Sequence, residues 1–187
     1  MGTADLSKTQ LQRMHRVLSR HVERKDMPGL VALVSHGDCV HVETLGTLAL
    51  DNPAPVRRDT TFRIASLSEG RSGQEQILSP ASVELMTSDH LTAEQRAGAE
   101  LFFGQHSSWG FGDGGGHRAF RDLPRTFGWS GGLGTTAYTD PTKHMIGILL
   151  TQRMMDSPEL PKVFTDFWTL AYGALPLRTN ERATTAL

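Results

Sequence analysis

Ser66 and Glu69 are the residues in this chain whose types and spacing most directly suggest chemistry. They sit at the end of the run Phe62-Arg63-Ile64-Ala65-Ser66-Leu67-Ser68-Glu69. On a helix this spacing puts the hydroxyl and the carboxylate on one face. A serine hydroxyl becomes an effective nucleophile only when a neighbouring base takes its proton. A carboxylate with an ordinary pKa of about 4.3 is a weak base for that task, and its negative charge opposes an alkoxide forming beside it. The chain continues Gly70-Arg71-Ser72-Gly73, which is poor helix material. Ser66 therefore fits the N-cap of a short turn as well as it fits a nucleophile.

A second group is Trp129-Ser130-Gly131-Gly132, followed by Leu133-Gly134. Their structural reading is a core aromatic at Trp129 and a bulge or close strand approach at the glycines.

The elements that must position these groups follow from periodicity. Residues 6–25 read as an amphipathic helix, with Leu11, Met14, Leu18 and Val22 on one face and Lys8, Gln12, Arg16 and Glu23 on the other. Ser7 with Gln10 resembles a capping box, and Pro28-Gly29 is expected to stop the helix. Strands 29–35 and 39–45 flank the turn His36-Gly37-Asp38. Residues 46–60 read as loop. Ser79-Pro80 opens a short helix whose apolar side is Val83 and Met86, and Thr92 with Gln95 marks a second capped turn.

From Ser108 onward the pattern turns to strands. Residues 109–112 and 117–120 read as a hairpin with its turn at Asp113-Gly114-Gly115-Gly116. Residues 127–129 lead into the glycine-rich segment. Strands at 135–139 and 145–151 follow, the latter apolar enough for a central strand. A helix over 158–174 carries Val163, Phe167, Leu170 and Ala174 close to one face. This order implies an α+β fold, an antiparallel sheet with N- and C-terminal helices packed on one face.

Composition sets bounds. The chain has 187 residues, 38% of them hydrophobic and 21% charged, enough for one domain with a core. A formal net charge of −1 gives no electrostatic case for nucleic acid or an anionic membrane. The single cysteine, Cys39, cannot form an internal disulfide and reads as a small buried side chain on a strand. The polar first 25 residues hold no signal-peptide apolar stretch, and no run is long enough to span a membrane, so a cytoplasmic location is expected. His36, Cys39 and His41 lie close together, but zinc needs three or four convergent ligands; neither a metal nor another cofactor is expected. Gly110-Phe111-Gly112-Asp113-Gly114-Gly115 matches a dinucleotide-binding pattern only formally, without the strand before and helix after. Arg118, Arg121 and Arg125 are spaced as a solvated face.

Several of these segments together resemble the β-lactamase-related serine hydrolases, the class C β-lactamase, esterase and penicillin-binding protein group. Phe62-Arg63-Ile64-Ala65-Ser66 resembles the nucleophile segment. Ile77-Leu78-Ser79-Pro80-Ala81-Ser82-Val83-Glu84-Leu85-Met86 resembles the segment that re-enters the sheet domain. Trp109-Gly110-Phe111-Gly112 and Phe127-Gly128-Trp129-Ser130-Gly131-Gly132 resemble the closing strands. The resemblance covers about residues 8–173 and implies a single domain over 1–187. It implies Ser66 as nucleophile, Trp129-Ser130-Gly131 as the substrate strand, and the N–H groups of Ser66 and Gly132 as the oxyanion hole.

The departures bear on activity. Where the family carries Ser-x-x-Lys, this chain has Glu69 at the Lys position. The family's helical region with its Tyr-x-Asn element is missing, and residues 69–76 bridge the gap. The implied function is a serine hydrolase scaffold for a small ester or amide (esterase, β-lactamase or D-alanyl peptidase type) with impaired catalysis. The alternative is a non-catalytic remnant that binds a ligand or partner, with homo-oligomerisation through exposed apolar surface.

Overall fold

A computed structural model describes residues 5–64, 79–98, 108–109, 114–115, 126–157 and 159–176. Helix α1 (Lys8–Glu23) is capped by the Ser7 side chain, which accepts from the Gln10 N–H. It ends well before Pro28. Lys25 takes a left-handed conformation (φ 61°), and the Arg24 N–H closes the last turn on the Arg20 carbonyl. Met14 and Leu18 are fully buried, and Leu11 and Val22 pack at the core's margin.

Strands β1 (Gly29–His36) and β2 (Cys39–Gly46) form a hairpin closed by Gly37 and Asp38 alone, so His36 belongs to the strand. Gly37 at φ 57° supplies the conformation that such a tight turn requires at its first position. Helices α2 (Pro80–Thr87) and α3 (Ala93–Gly98) begin as expected. Ser79 Oγ accepts from the Ser82 N–H, and Thr92 and Gln95 exchange reciprocal side-chain-to-backbone bonds. Val83 and Leu85 of α2 remain exposed.

Strands β3 (Ser108–Trp109) and β4 (Gly114–Gly115) pair with each other. Gly114 and Gly115 are therefore strand residues. The hairpin expected to turn at 113–116 instead reverses between Trp109 and Gly114, because Trp109 pairs with Gly114 and Ser108 with Gly115. The expected return strand at 117–120 lies outside the described residues.

Strands β5 (Phe127–Gly131), β6 (Thr135–Asp140) and β7 (Met145–Thr151) complete an antiparallel sheet in the order β2-β1-β7-β6-β5-β4-β3. The apolar β7 is an interior strand, as its composition implies. Helix α4 (Lys162–Gly173) starts four residues later than expected. Pro161 holds ψ at 140°, and a residue that precedes proline, as Leu160 does, is disfavoured in helical conformation.

Strand alternation and register divide the sheet into two faces. Leu30, Ala32 and Val34 of β1, Met145 and Leu149 of β7, and Tyr138 of β6 share one face, where they form the core with Met14, Leu18, Phe164, Phe167 and Trp168. Both terminal helices cover this face, and the fold is α+β. Trp168 lies against Gly147, where an added Cβ would come within 2.4 Å of the indole. Its ring meets Tyr138 and Phe167 edge-on, at centroid distances of 5.4 and 5.0 Å.

The two helices are joined by a buried histidine that periodicity does not single out. His21 of α1 is 3% exposed. Its Nδ1 lies 2.7 Å from Asp26 Oδ2 and its Nε2 lies 2.9 Å from Asp166 Oδ2 of α4. Arg24 Nη2 also lies 3.3 Å from His21 Nδ1, so the ring is held between two carboxylates and a guanidinium. The His21 hydrogen bond, aided by Arg24, holds the Asp26 carboxyl below the usual carboxylate range. At Asp166 burial pushes upward, but hydrogen bonds from Lys162 and His21 outweigh it and the net displacement is downward.

Because both carboxyls are easier to ionise folded than unfolded, they stabilise the fold above the ordinary value of 3.8. That contribution is lost as pH falls through the lower folded values. In urea unfolding, the stability gap between wild type and Asp166→Asn should be full at pH 7 and should shrink steadily below pH 4. A gap independent of pH would show that ionised Asp166 does not support the helix pair.

Candidate functional site

Strand β5 carries the described part of the candidate site. Trp129 pairs with Ala137 and Gly131 with Thr135, while Ser130 pairs with Thr136 and Gly128 with Tyr138. Tyr138 belongs to the helix-covered core. Alternation therefore directs Trp129 and Gly131 to the opposite face and Ser130 to the helix face. The Ser130 hydroxyl donates to Thr136 Oγ1 at 2.9 Å, and the Trp168 indole N–H donates to the same oxygen at 3.2 Å. Ser130 thus links β5 to α4, a bond on the side of the sheet away from Trp129.

The opposite face is uncharged along the central strands. Val31 and Leu33 of β1, Val40, Val42 and Thr44 of β2, Ile146, Ile148 and Leu150 of β7, and Thr135, Ala137 and Thr139 of β6 share it with Phe127, Trp129 and Gly131. Val40 is 59% and Ile146 39% exposed.

Gly132 stands in the turn joining β5 to β6. The turn closes with the Gly134 N–H on the Gly131 carbonyl, at 3.0 Å. It is pinned from β7 and the segment beyond. The Met155 N–H donates to the Gly132 carbonyl at 2.9 Å, and the Thr151 N–H and hydroxyl both donate to the Gly134 carbonyl. Gly134 needs its φ of +79°, and a Cβ there would strike the Arg153 carbonyl oxygen. Gly132 is exposed, and among the described residues nothing lies within 4 Å of a Cβ built on it.

Phe62, Arg63 and Ile64 are the described beginning of the nucleophile run, and Ile64 is exposed. Ser66 and Glu69 lie outside the described residues, as do the bridge 69–76, the arginines at 118, 121 and 125, and most of the formal Gly-x-Gly-x-x-Gly segment.

Neither tyrosine of the chain sits on the Trp129 face. Tyr138 is buried against Trp168. Tyr172 of α4 donates its hydroxyl proton to Asp140 Oδ2 at 3.1 Å. Burial, together with the Asp140 carboxylate, pushes its ionisation far above the ordinary tyrosine range. Asp140 is itself buried at the end of β6, where Oδ1 caps the following turn through the Thr142 and Lys143 N–H groups. Tyr172 therefore serves as a tie between α4 and the β6–β7 turn and cannot shuttle protons at Trp129.

The cysteine–histidine group resolves into separate pairs. Cys39 donates to Asp5 Oδ1 at 3.1 Å, which raises the thiol's pKa. Glu43 receives His41 at 3.1 Å and His15 of α1 at 2.9 Å. Among the described residues no group of three or more His, Cys, Asp or Glu side chains is arranged to hold a metal ion. No described helix is long and apolar enough to cross a membrane.

The Thr136 junction is the main site feature that the sequence does not announce. One signal for it exists: Thr136 is a core-facing threonine in a buried strand, where a hydroxyl needs a partner. Thr135, its neighbour, is buried on the other face, and its hydroxyl has no partner among the described residues.

No protein-family model matches the chain, and no curated protein matches it either. Among solved structures it is similar to EstCE1, described as a hydrolase with promiscuous acyltransferase activity. The TM-score is 0.42 and the sequence identity 22%, over 54% of this chain and 26% of that one. The match thus takes in about a quarter of EstCE1's length.

Replacing Thr136 with Val keeps the shape and removes the acceptor shared by Ser130 and Trp168. Taking the acceptor from a buried donor such as the indole N–H costs about 1–3 kcal/mol. Chemical denaturation should show a loss of that size for Thr136→Val. Wild-type stability in this variant would show that the junction does not hold β5 to α4.

Proposed function

We propose that this chain is a serine hydrolase scaffold of the β-lactamase-related type, a single domain with a helical region missing between residues 69 and 76. In this reading it handles a small ester or amide through Ser66, at much reduced rate. The observation that supports it most is the parity of β5. Trp129 and Gly131 point away from the terminal helices, and Gly132 sits in a pinned turn with no described residue within 4 Å of its Cβ position. An oxyanion hole needs that combination, a fixed backbone donor with room for the reacting oxygen.

The reduced rate follows from the groups beside Ser66. Glu69 replaces an amine with a carboxylate, which takes a proton poorly at neutral pH and repels a developing alkoxide. Both tyrosines are committed to the helix face. Losing an activating base typically costs 10²–10⁴-fold in rate. No cofactor enters this chemistry.

A second reading is a binding remnant that associates through its apolar surface. Val40 and Ile146, exposed on the uncharged sheet face on either side of Ser35, favour it, since apolar side chains left open on a sheet face can mark association sites.

A fluorophosphonate probe with intact-mass detection separates the two. The hydrolase reading expects slow, single-site labelling that disappears in Ser66→Ala and speeds up about tenfold or more in Glu69→Lys. An unlabelled chain at saturating probe, unchanged in Glu69→Lys, overturns it. Self-association in sedimentation equilibrium would then favour the second reading.

A further inference from the structure

A cavity of about 240 Å³ opens at the end of the helix pair, between the C-terminal end of α1, the segment after β7 and the start of α4. It lies on the helix-covered side of the sheet, whereas Trp129 and Gly131 face the other side. Its floor is apolar. Met27, Val163 and Phe164 line it and are each at most 4% exposed. Met154 at its edge is 66% exposed, a large apolar side chain with an unbranched, adaptable stem.

Three cations from three separate stretches of chain stand around this floor. Arg24 follows α1, Arg153 follows β7, and Lys162 opens α4. Internal bonds fix their positions without exhausting them. Arg24 gives Nη2 to Asp26 Oδ2 at 3.1 Å. Arg153 gives Nη1 to the Asp26 carbonyl at 2.8 Å and Nη2 to Asp156 at 2.6 Å. Lys162 gives one bond to Asp166 at 2.7 Å. A guanidinium has five N–H donors and an ammonium three, so each cation retains donors. Both guanidiniums bond Asp26, Arg24 at the carboxylate and Arg153 at the backbone carbonyl. Two carboxylates, Asp26 and Asp156, line the cavity with these cations, and a third, Asp166, pairs with Lys162.

We propose that this cavity binds a small aliphatic carboxylate, its head on the Arg24–Arg153 pair and its tail on the Met27–Phe164 floor. A few convergent polar groups over an apolar base is the usual composition of a ligand site, and guanidinium forks match carboxylate geometry. Met154 closes over the tail. The proposal rests on the cavity's own residues and not on the proposed Ser66 chemistry.

The probe is sodium octanoate, titrated into the full chain by calorimetry and by two-dimensional NMR. The expected result is saturable one-site binding, with amide shifts clustered at residues 24–27, 153–156 and 162–164. Octan-1-ol and acetate, which supply tail or head alone, should bind at least tenfold more weakly. Arg24→Gln combined with Arg153→Gln should weaken octanoate about tenfold, with folding checked by circular dichroism. If that variant is unfolded, the exposed Lys162→Gln should still weaken binding about threefold. Ser66→Ala should leave the affinity unchanged. Non-saturating binding, equal affinity for octanol, or full affinity in the folded variants would overturn the assignment, as would loss of binding in Ser66→Ala.

Discussion

Trp168 fixes which face of the sheet the terminal helices cover. Its indole rests on Gly147, where no side chain could stand, and its N–H is satisfied by Thr136. Seating so large a ring commits α4 to one face, and the His21 bridge to Asp166 commits α1 beside it. Strand alternation does the rest. Once Tyr138 and Thr136 face the helices, Trp129 and Gly131 must face away. Ser130, between them, is drawn toward the core and becomes part of the joint that holds β5 in place.

The same packing limits the chemistry available. Both tyrosines are used to lock α4, one by ring contact and one through Asp140. The open face keeps a pinned glycine turn and an aromatic strand without a tyrosine from either of these positions. In the proposed reading this face supplies the oxyanion donor, and the proton acceptor comes from elsewhere. The cation-ringed cavity sits on the other side, and the chain links the two. Met155, beside the cavity, holds the Gly132 carbonyl through its own backbone N–H.

Much of the fold was legible in the sequence because it rests on local patterns. The 3.6-residue spacing of Met14 and Leu18, the Ser7, Ser79 and Thr92 caps, and the apolar run of β7 each report a structural period or an end signal. Boundaries were legible only where the signal is local. The start of α4 moved because Pro161 holds ψ at 140° and proline disfavours helix in the residue before it, and the hairpin at Trp109 moved because glycine pairs write no register. His21, Asp166, Thr136 and Arg153 were not legible. Each acts through partners that are distant along the chain, such as Asp166 for His21 and Trp168 for Thr136, and no periodicity records such a pairing. Trp129 and Gly131 read as one set with Ser130, which is right for adjacency along the strand but takes no account of its two faces.

The central claim is that the face bearing Trp129 and Gly131 is where Ser66 works, with Gly132 as its backbone donor. A crystal structure of the chain carrying a phosphonate on Ser66 tests it directly. The account predicts the phosphonyl oxygen at about 3 Å from the Gly132 N–H, the distance an oxyanion donor requires, with the adduct on the side of the sheet opposite Trp168. An adduct on the helix-covered side, or one beyond hydrogen-bond reach of Gly132, would contradict it.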